Sequence, residues 1–300
     1  MSSALSVVIA ARDAESTIRD QLLALTAQPW PAGGEIIVAD NGSTDSTAAI
    51  VLTESERIAE GSSVSISLVD CHEAPGAGHA RNAGVNASTY SHIAFCDADD
   101  IVANGWVTAM TSALDSHVAV GGRLDLDRLN PKWVVQSRGS RLAADELPTF
   151  DGIFPVLSSC NFGIRRSTFL DVGGFDVTYL RGQDAELSLR LYERGIDAHF
   201  APDAVVNYRL RTTLRSVFGQ ALGWGEANYR LRSRIGRPSR LGSSLRSWAW
   251  LATHIHHLGD RTRRARWIYI AGIRVGLLRG AIMRRTRGTT TQDTTTQDIA

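Results

Sequence analysis

Carboxylates gather where apolar runs of the chain end. Asp40 closes the run Glu35-Ile36-Ile37-Val38-Ala39-Asp40, and Asp97, Asp99 and Asp100 close His92-Ile93-Ala94-Phe95-Cys96-Asp97. Asp97 and Asp99 are two apart, so on an extended backbone both would point to one side. Two hard oxygen ligands on one side suit Mg²⁺ or Mn²⁺, which take few carboxylates and complete their shells with water and phosphate. Acidic groups repel a bound diphosphate unless a cation bridges them, so that chemistry would require the metal. The competing reading is a solvated acidic turn that caps the next helix. Asp-x-Asp alone fits either.

Such side chains need rigid elements behind them. Leu5 to Ala10 is a short, nearly continuous apolar run, as expected for a strand covered on both faces. Ile18, Leu22 and Leu25 recur at helical spacing within Ala14 to Ala27, and Pro29 and Pro31 end that helix. A strand over Glu35 to Asp40, a turn at Asn41-Gly42-Ser43 and a helix from Thr44 to Arg57 follow, with Ser43 or Thr44 as cap. Val64 to Val69 alternates with period two, Gly78 to Ala87 reads as a helix, and His92 to Asp97 as a strand. This alternation predicts a parallel α/β sheet with right-handed crossovers, whose ligands bind outside the carboxyl ends of the strands. Further on, Asp184 to Arg194 reads as a helix stopped by Gly195, and Ile196 to Ala201 as an edge strand.

Five short segments in order carry a family likeness. They are Ser6 to Glu15 (SVVIAARDAE), Asp40 to Asp45 (DNGSTD), Gly78 to Gly84 (GHARNAG), Phe95 to Asp100 (FCDADD), and Gly173 to Asp176 (GGFD) followed by Gln183 to Glu186 (QDAE) and Arg190. Together they resemble family 2 glycosyltransferases over roughly residues 4 to 210. The resemblance implies a GT-A fold: α/β, Rossmann-like, with a mostly parallel central sheet flanked by helices. It also implies metal-dependent, inverting transfer of a sugar from a nucleotide-diphosphate donor, foremost a UDP-sugar, with Mg²⁺ or Mn²⁺ as cofactor.

The same likeness implies roles residue by residue. Asp40 would contact the base, with Ala10, Ala11, Arg12 and Asn41 beside it; Asn41 stands where a second Asp is frequent. Arg81 would hold the diphosphate or the acidic turn. Asp97, with Ala98, would face the donor's ribose or the metal, and Asp99 would ligate the metal directly. Asn161, Gly174, Gln183 and the mixed stretch from Gly121 to Pro155 would lie on the acceptor side. Asp184 would be the base that takes the acceptor proton; at a helix start the macrodipole would favour its ionised form. Glu186 and Arg190, four apart, would pair as structural support. Bland alternatives remain for each: a turn aspartate at 40, a helix salt bridge at 81, a plain cap at 184.

Two departures matter. Gln183 stands where Glu is frequent, and Tyr208 stands where many relatives have a His that completes metal coordination. They keep open a second reading, a non-catalytic nucleotide-sugar-binding protein on the same fold. A nucleotidyltransferase would show a Gly-rich basic loop after the first strand, and Ala11-Arg12-Asp13-Ala14 is not one.

Composition sets the outer bounds. With 300 residues, 43% hydrophobic and 21% charged, the chain excludes collagen-like, disordered and disulfide-scaffold classes. Cys71, Cys96 and Cys160 are too few and too dispersed for a disulfide framework or zinc knuckle, which fits a reducing cytosol. The N-terminus reads as a strand and not as a signal peptide, and no apolar stretch suffices for a spanning helix. The net charge of +1 conceals two opposed parts. Residues 1–208 carry 14 basic and 27 acidic side chains; residues 209–288 carry 18 arginines against Glu226 and Asp260. The expected organisation is a catalytic domain over 1–210, a basic helical segment over 211–288 and a disordered tail over 289–300. The basic segment, 245–287 above all, would either meet an anionic membrane surface or pack on protein. No nucleic-acid motif accompanies its charge. The implied setting is cytoplasmic, peripheral at the inner face of the membrane, with a glycan or lipid-linked acceptor of the cell envelope.

Overall fold

The computed structural model describes residues 3–58, 62–138, 145–237 and 241–290, with the side chains of 241–244 and 284–290 outside that description. The chain divides into two compact units, residues 1–130 with 139–210, and residues 131–138 with 211–300. The Lys132–Arg138 helix thus belongs to the second unit.

In the first unit the sheet is built from β1 (Leu5–Ala11), β2 (Gly34–Asp40), β3 (Val64–Asp70), β4 (His92–Asp97), β5 (Ile101–Val102) and β6 (Ala119–Asp125). Helices α1 (Ile18–Thr26), α2 (Thr47–Arg57), α3 (Ala77–Ala87) and α4 (Trp106–Ser116) connect them. Beyond α5 (Lys132–Arg138) come a small hairpin, β7 (Thr149–Phe150) and β8 (Phe154–Pro155), then β9 (Asn161–Arg165), α6 (Arg166–Asp171), α7 (Gln183–Glu193) and β10 (Ala198–Asn207). Among the described residues the strand order is β3-β2-β1-β4-β9-β6-β10-β5. β1, β2, β3 and β4 pair in parallel, as do β6 and β10, whereas β9 runs antiparallel between β4 and β6.

The expected edge strand at 196–201 is therefore longer and internal: β10 lies between β6 and the two-residue β5. The stretch 121–155 also contributes a core strand, β6, with residues 139–144 outside the described residues. Val7, Val8, Ile9, Ile36 and Val38 are buried, because helices cover both faces of these strands. Registers align the strand ends: Ala11 stands opposite Asp40, Asp40 opposite Asp70, and Ala10 opposite Asp97. Because β9 is antiparallel, its amino end, Asn161, meets Cys96 at that same edge. The sequence's carboxylates thus share one rim.

The second unit is helical. It contains α5, α8 (Leu214–Arg234), α9 (Leu241–Thr253), a 3₁₀ turn (Ile255–Gly259) and α10 (Arg261–Thr290). α8 and α10 meet through glycines: a Cβ on Gly276 would lie 2.1 Å from the Leu222 carbonyl oxygen, and one on Gly225 2.3 Å from that of Ile273. Arg279 pairs with Glu226 at 3.2 Å, and the Arg138 guanidinium lies 4.5 Å from the Tyr269 ring centre. The tail expected to be disordered begins inside α10, which runs to Thr290, and 291–300 lie outside the described residues.

Candidate active site

Asp40 ends β2 with its side chain tied down. Its Oδ1 accepts from the Ser43 backbone N–H (3.0 Å) and the Ser43 hydroxyl (2.6 Å). Ser43 Oγ in turn accepts from the Asp13 N–H at 2.9 Å. Asp13 has φ +49, an unfavourable setting for a side-chain-bearing residue. It is held there by its carboxylate, which accepts from Thr44 N–H (2.8 Å) and Thr44 Oγ1 (3.2 Å). With Ser43 and Thr44 so engaged, neither caps α2. That helix begins at Thr47, whose N–H and hydroxyl both donate to Asp45 Oδ1.

Asn41 is a staple. Its amide nitrogen donates to the carbonyls of Cys71 (2.7 Å) and Ala74 (2.8 Å), and its oxygen accepts from Gly76 N–H (2.7 Å). Both amide hydrogens are consumed, so this side chain shapes the 71–76 loop and has no donor left for a base. Ala10 and Ala11 lie in β1 against the ends of β2 and β4, and Arg12 is exposed beside Asp13.

Asp97 is the last residue of β4, and the backbone turns at Ala98 and Asp99. The extended geometry that would align Asp97 with Asp99 is therefore not present. The turn instead brings Asp100 to Asp97: a carboxylate oxygen of each and Cys160 Sγ all lie within 4.8 Å of one another, and Asp99 is outside that group. Arg81, almost fully buried, donates from Nη2 to Asp97 Oδ1 at 2.6 Å. Its Nε and Nη1 are buried without hydrogen-bond partners, and its guanidinium lies 5.7 Å from the Phe175 ring centre.

Asp100 is completely buried. Its Oδ1 accepts from Arg209 N–H at 2.7 Å, and its Oδ2 has no hydrogen-bond partner. Burial, with the charges of Asp97 and Asp99, pushes its pKa well above the usual carboxylate range. The Arg209 side chain donates to the Asp99 carbonyl (2.8 Å), and Gln21 bridges the Asp97 carbonyl and Val102 N–H. Burial also raises the Cys160 thiol and the Tyr208 phenol, with the nearby acidic charges adding to both. The residue standing in place of histidine packs against the apolar core, within electrostatic reach of the acidic turn.

Asp184 lies in the first turn of α7 and accepts from Ala185 N–H at 2.8 Å. Its pKa is nevertheless raised, because burial outweighs that bond, the Arg81 charge and the Ser159 N–H. The helix start is expected to favour the ionised form; desolvation acts in the opposite direction and outweighs it. Behind it, Glu186 and Arg190 form a two-pronged pair, with Arg190 Nε and Nη2 both on the carboxylate at 2.6–3.0 Å. Arg190 also donates to the carbonyls of Val172 and Gly174. Gly174, at φ +63, lies so close to Asn82 that a Cβ would come within 2.7 Å of its oxygen. Asn82 exchanges two hydrogen bonds with the Phe175 backbone. Gln183 is buried against Gly78.

Asn161, expected on the acceptor side, is a core residue. It is 1% exposed, accepts from Trp106 Nε1 and donates to the carbonyls of Arg123 and Ala204. Its amide locks α4, β6, β9 and β10 together and offers nothing to a ligand. Conversely, Gln21, Asp100, Cys160 and Arg209 had no assigned task. Two of them left a local signal: Gln21 as a polar residue inside the apolar stripe Ile18, Leu22, Leu25, and Asp100 as part of the acidic run after β4.

This architecture is that of GT-A glycosyltransferases. A mannosyltransferase from Pyrobaculum calidifontis, solved with GDP-Man and Mn²⁺, superposes with TM-score 0.68, covering 94% of this chain and 88% of its own at 16% identity. The Staphylococcus aureus TarS fragment 1–349 with UDP-GlcNAc gives TM-score 0.54, covering 91% and 90% at 16% identity. At such identities the likeness establishes the fold. Residues 6–173 match the family profile described as Glycosyl transferase family 2, and the chain belongs to that family. Among curated relatives, a pre-mycofactocin glycosyltransferase of Mycobacterium tuberculosis is 29% identical over 227 residues, 73% of this chain and 46% of the relative. The chain spans about half the length of the curated relatives it matches.

Proposed function

We propose that the protein transfers a sugar, with inversion, from a nucleotide-diphosphate donor, foremost a UDP-sugar, in a divalent-metal-dependent reaction. The observation that carries this reading is the convergence of Asp40, Arg81, Asp97 and Asp100 at one rim of the sheet, with Arg81 paired to Asp97 and its charge felt at Asp184. Asp40 Oδ1 is occupied by Ser43, which leaves Oδ2 to accept from the base. The buried, unpartnered Asp100 Oδ2 beside the Asp97 carboxylate fits a divalent cation. Asp97 and Asp100 would hold Mg²⁺ or Mn²⁺, and Asp99, from the turn between them, would be a further carboxylate ligand. When bound, the ion neutralises charge on the diphosphate leaving group. Arg81 holds Asp97 in place and adds positive charge at that edge.

Asp184 takes the proton of the acceptor hydroxyl as the new glycosidic bond forms and the nucleoside diphosphate departs from the opposite side of the anomeric carbon. Its raised pKa makes it a stronger base than an exposed aspartate. Gly174, held by Asn82 and Arg190, and Gln183 shape the acceptor side. The acceptor is a cell-envelope glycan or lipid-linked sugar met at an anionic surface, in keeping with the arginine-rich helical unit, and the working site is the cytoplasmic face of the membrane. Asp184→Asn is expected to lower transfer or donor hydrolysis by roughly 10²- to 10⁴-fold with donor binding retained. Unchanged turnover in that variant would remove the base assignment.

A further inference from the structure

Within the second unit, α9 is inside-out for a helix of a globular fold. Leu245, Trp248, Ala249 and Ala252 follow the spacing i, i+3, i+4, i+7, which puts them on one face, and that face is exposed. Leu245 is 62% and Trp248 39% exposed, and Ile255 in the following 3₁₀ turn is 63% exposed. The packed side of the helix is marked by Leu251, buried at 3% with its carbonyl accepting from Trp267 Nε1 (2.9 Å). On α10, Leu278 and Ile282, one turn apart, are also more than half exposed. A stripe that packed on protein within this unit would be buried, and this one is not.

Charge indicates what covers it. Arg246, Arg263 and Arg266 are exposed on the same helical hairpin. The acidic residues between 211 and 283 are Glu226, paired with Arg279, and Asp260, whose carboxylate accepts from the Arg263 N–H. No helix among the described residues is long and apolar enough to cross a membrane. The 13 residues of α9 reach about 20 Å against a hydrocarbon core of about 30 Å.

We propose that α9 and the turn after it lie flat in the surface of an anionic bilayer. Leu245, Trp248 and Ile255 enter the headgroup–acyl boundary, and the flanking arginines meet anionic headgroups. In placing the acceptor at that surface, the inference rests on the proposed function; the attachment itself is independent of the donor site.

The test is flotation of the full-length chain with phosphatidylcholine vesicles and with vesicles containing about a third phosphatidylglycerol. The chain should float with the anionic vesicles only, and less in high salt. Leu245→Ser with Trp248→Ser should lower the bound fraction about tenfold, and Trp248→Phe should retain most of it. Arg246→Glu with Arg263→Glu should also weaken binding and flatten its salt dependence. Each protein is checked in parallel for a thermal shift with UDP and Mn²⁺. Donor response without flotation overturns the membrane surface alone, and flotation without donor response removes the proposed function while the surface stands. Flotation undiminished in the Leu245→Ser/Trp248→Ser protein contradicts the inference. So does light scattering that shows a dimer disrupted by those substitutions without vesicle binding, since a second copy would then cover the stripe.

Discussion

Asp184 receives a backbone N–H at the start of α7, yet the protein around it excludes enough water to raise its pKa above 3.8. As a base it works only when deprotonated. The acid limb of kcat should therefore fall at a pH above that of an ordinary aspartate and vanish in Asp184→Asn together with the rate; a limb at the ordinary position would contradict the burial argument. Asn41 supports a second prediction. Removing its amide leaves the buried Cys71 carbonyl unmatched, with the half-buried Ala74 carbonyl and Gly76 N–H left to water, so Asn41→Ala should cost about 1–3 kcal/mol, read by urea unfolding. Both residues stood out in the sequence through their motifs. What the residue types could not convey was environment: burial reverses the expected effect on Asp184, and the tertiary bonds of Asn41 and Asn161 consume groups that looked available for ligands.

At the scale of elements, Arg190 ties α7 to the loop at Val172 and Gly174, and so fixes the segment that precedes Asp184. Arg190→Ala should destabilise the fold by on the order of 3 kcal/mol, because Glu186 is left charged and buried at 1% exposure. Arg190→Lys should recover little, since an ammonium cannot reproduce the fork; thermal unfolding of both variants measures this. The alternating strands and helices of residues 5–97 were legible because buried parallel strands read as apolar runs. β9 and the extent of β10 were not. Their pairings are long-range, with Asn161 opposite Cys96 and β10 aligned to β6 across a register shift at Ala201 to Val205, and local periodicity is blind to them. The acidic turn failed for a related reason. Spacing of two predicts a shared side only while the strand continues, and β4 stops at Asp97.

The whole molecule separates its net charge by unit, with the acidic excess on the sheet unit and the arginine excess on the helical unit. That asymmetry was visible in a residue count, whereas the outward apolar stripe of α9 required coordinates. The acidic rim is proposed to bind a nucleotide sugar through a divalent cation. Calorimetric titration of the full-length chain with UDP-sugars, with and without Mn²⁺, tests it most directly. Binding should require Mn²⁺, weaken at least about tenfold in Asp99→Ala, and persist in Asp184→Asn. Binding indifferent both to Mn²⁺ and to Asp99→Ala would contradict the account.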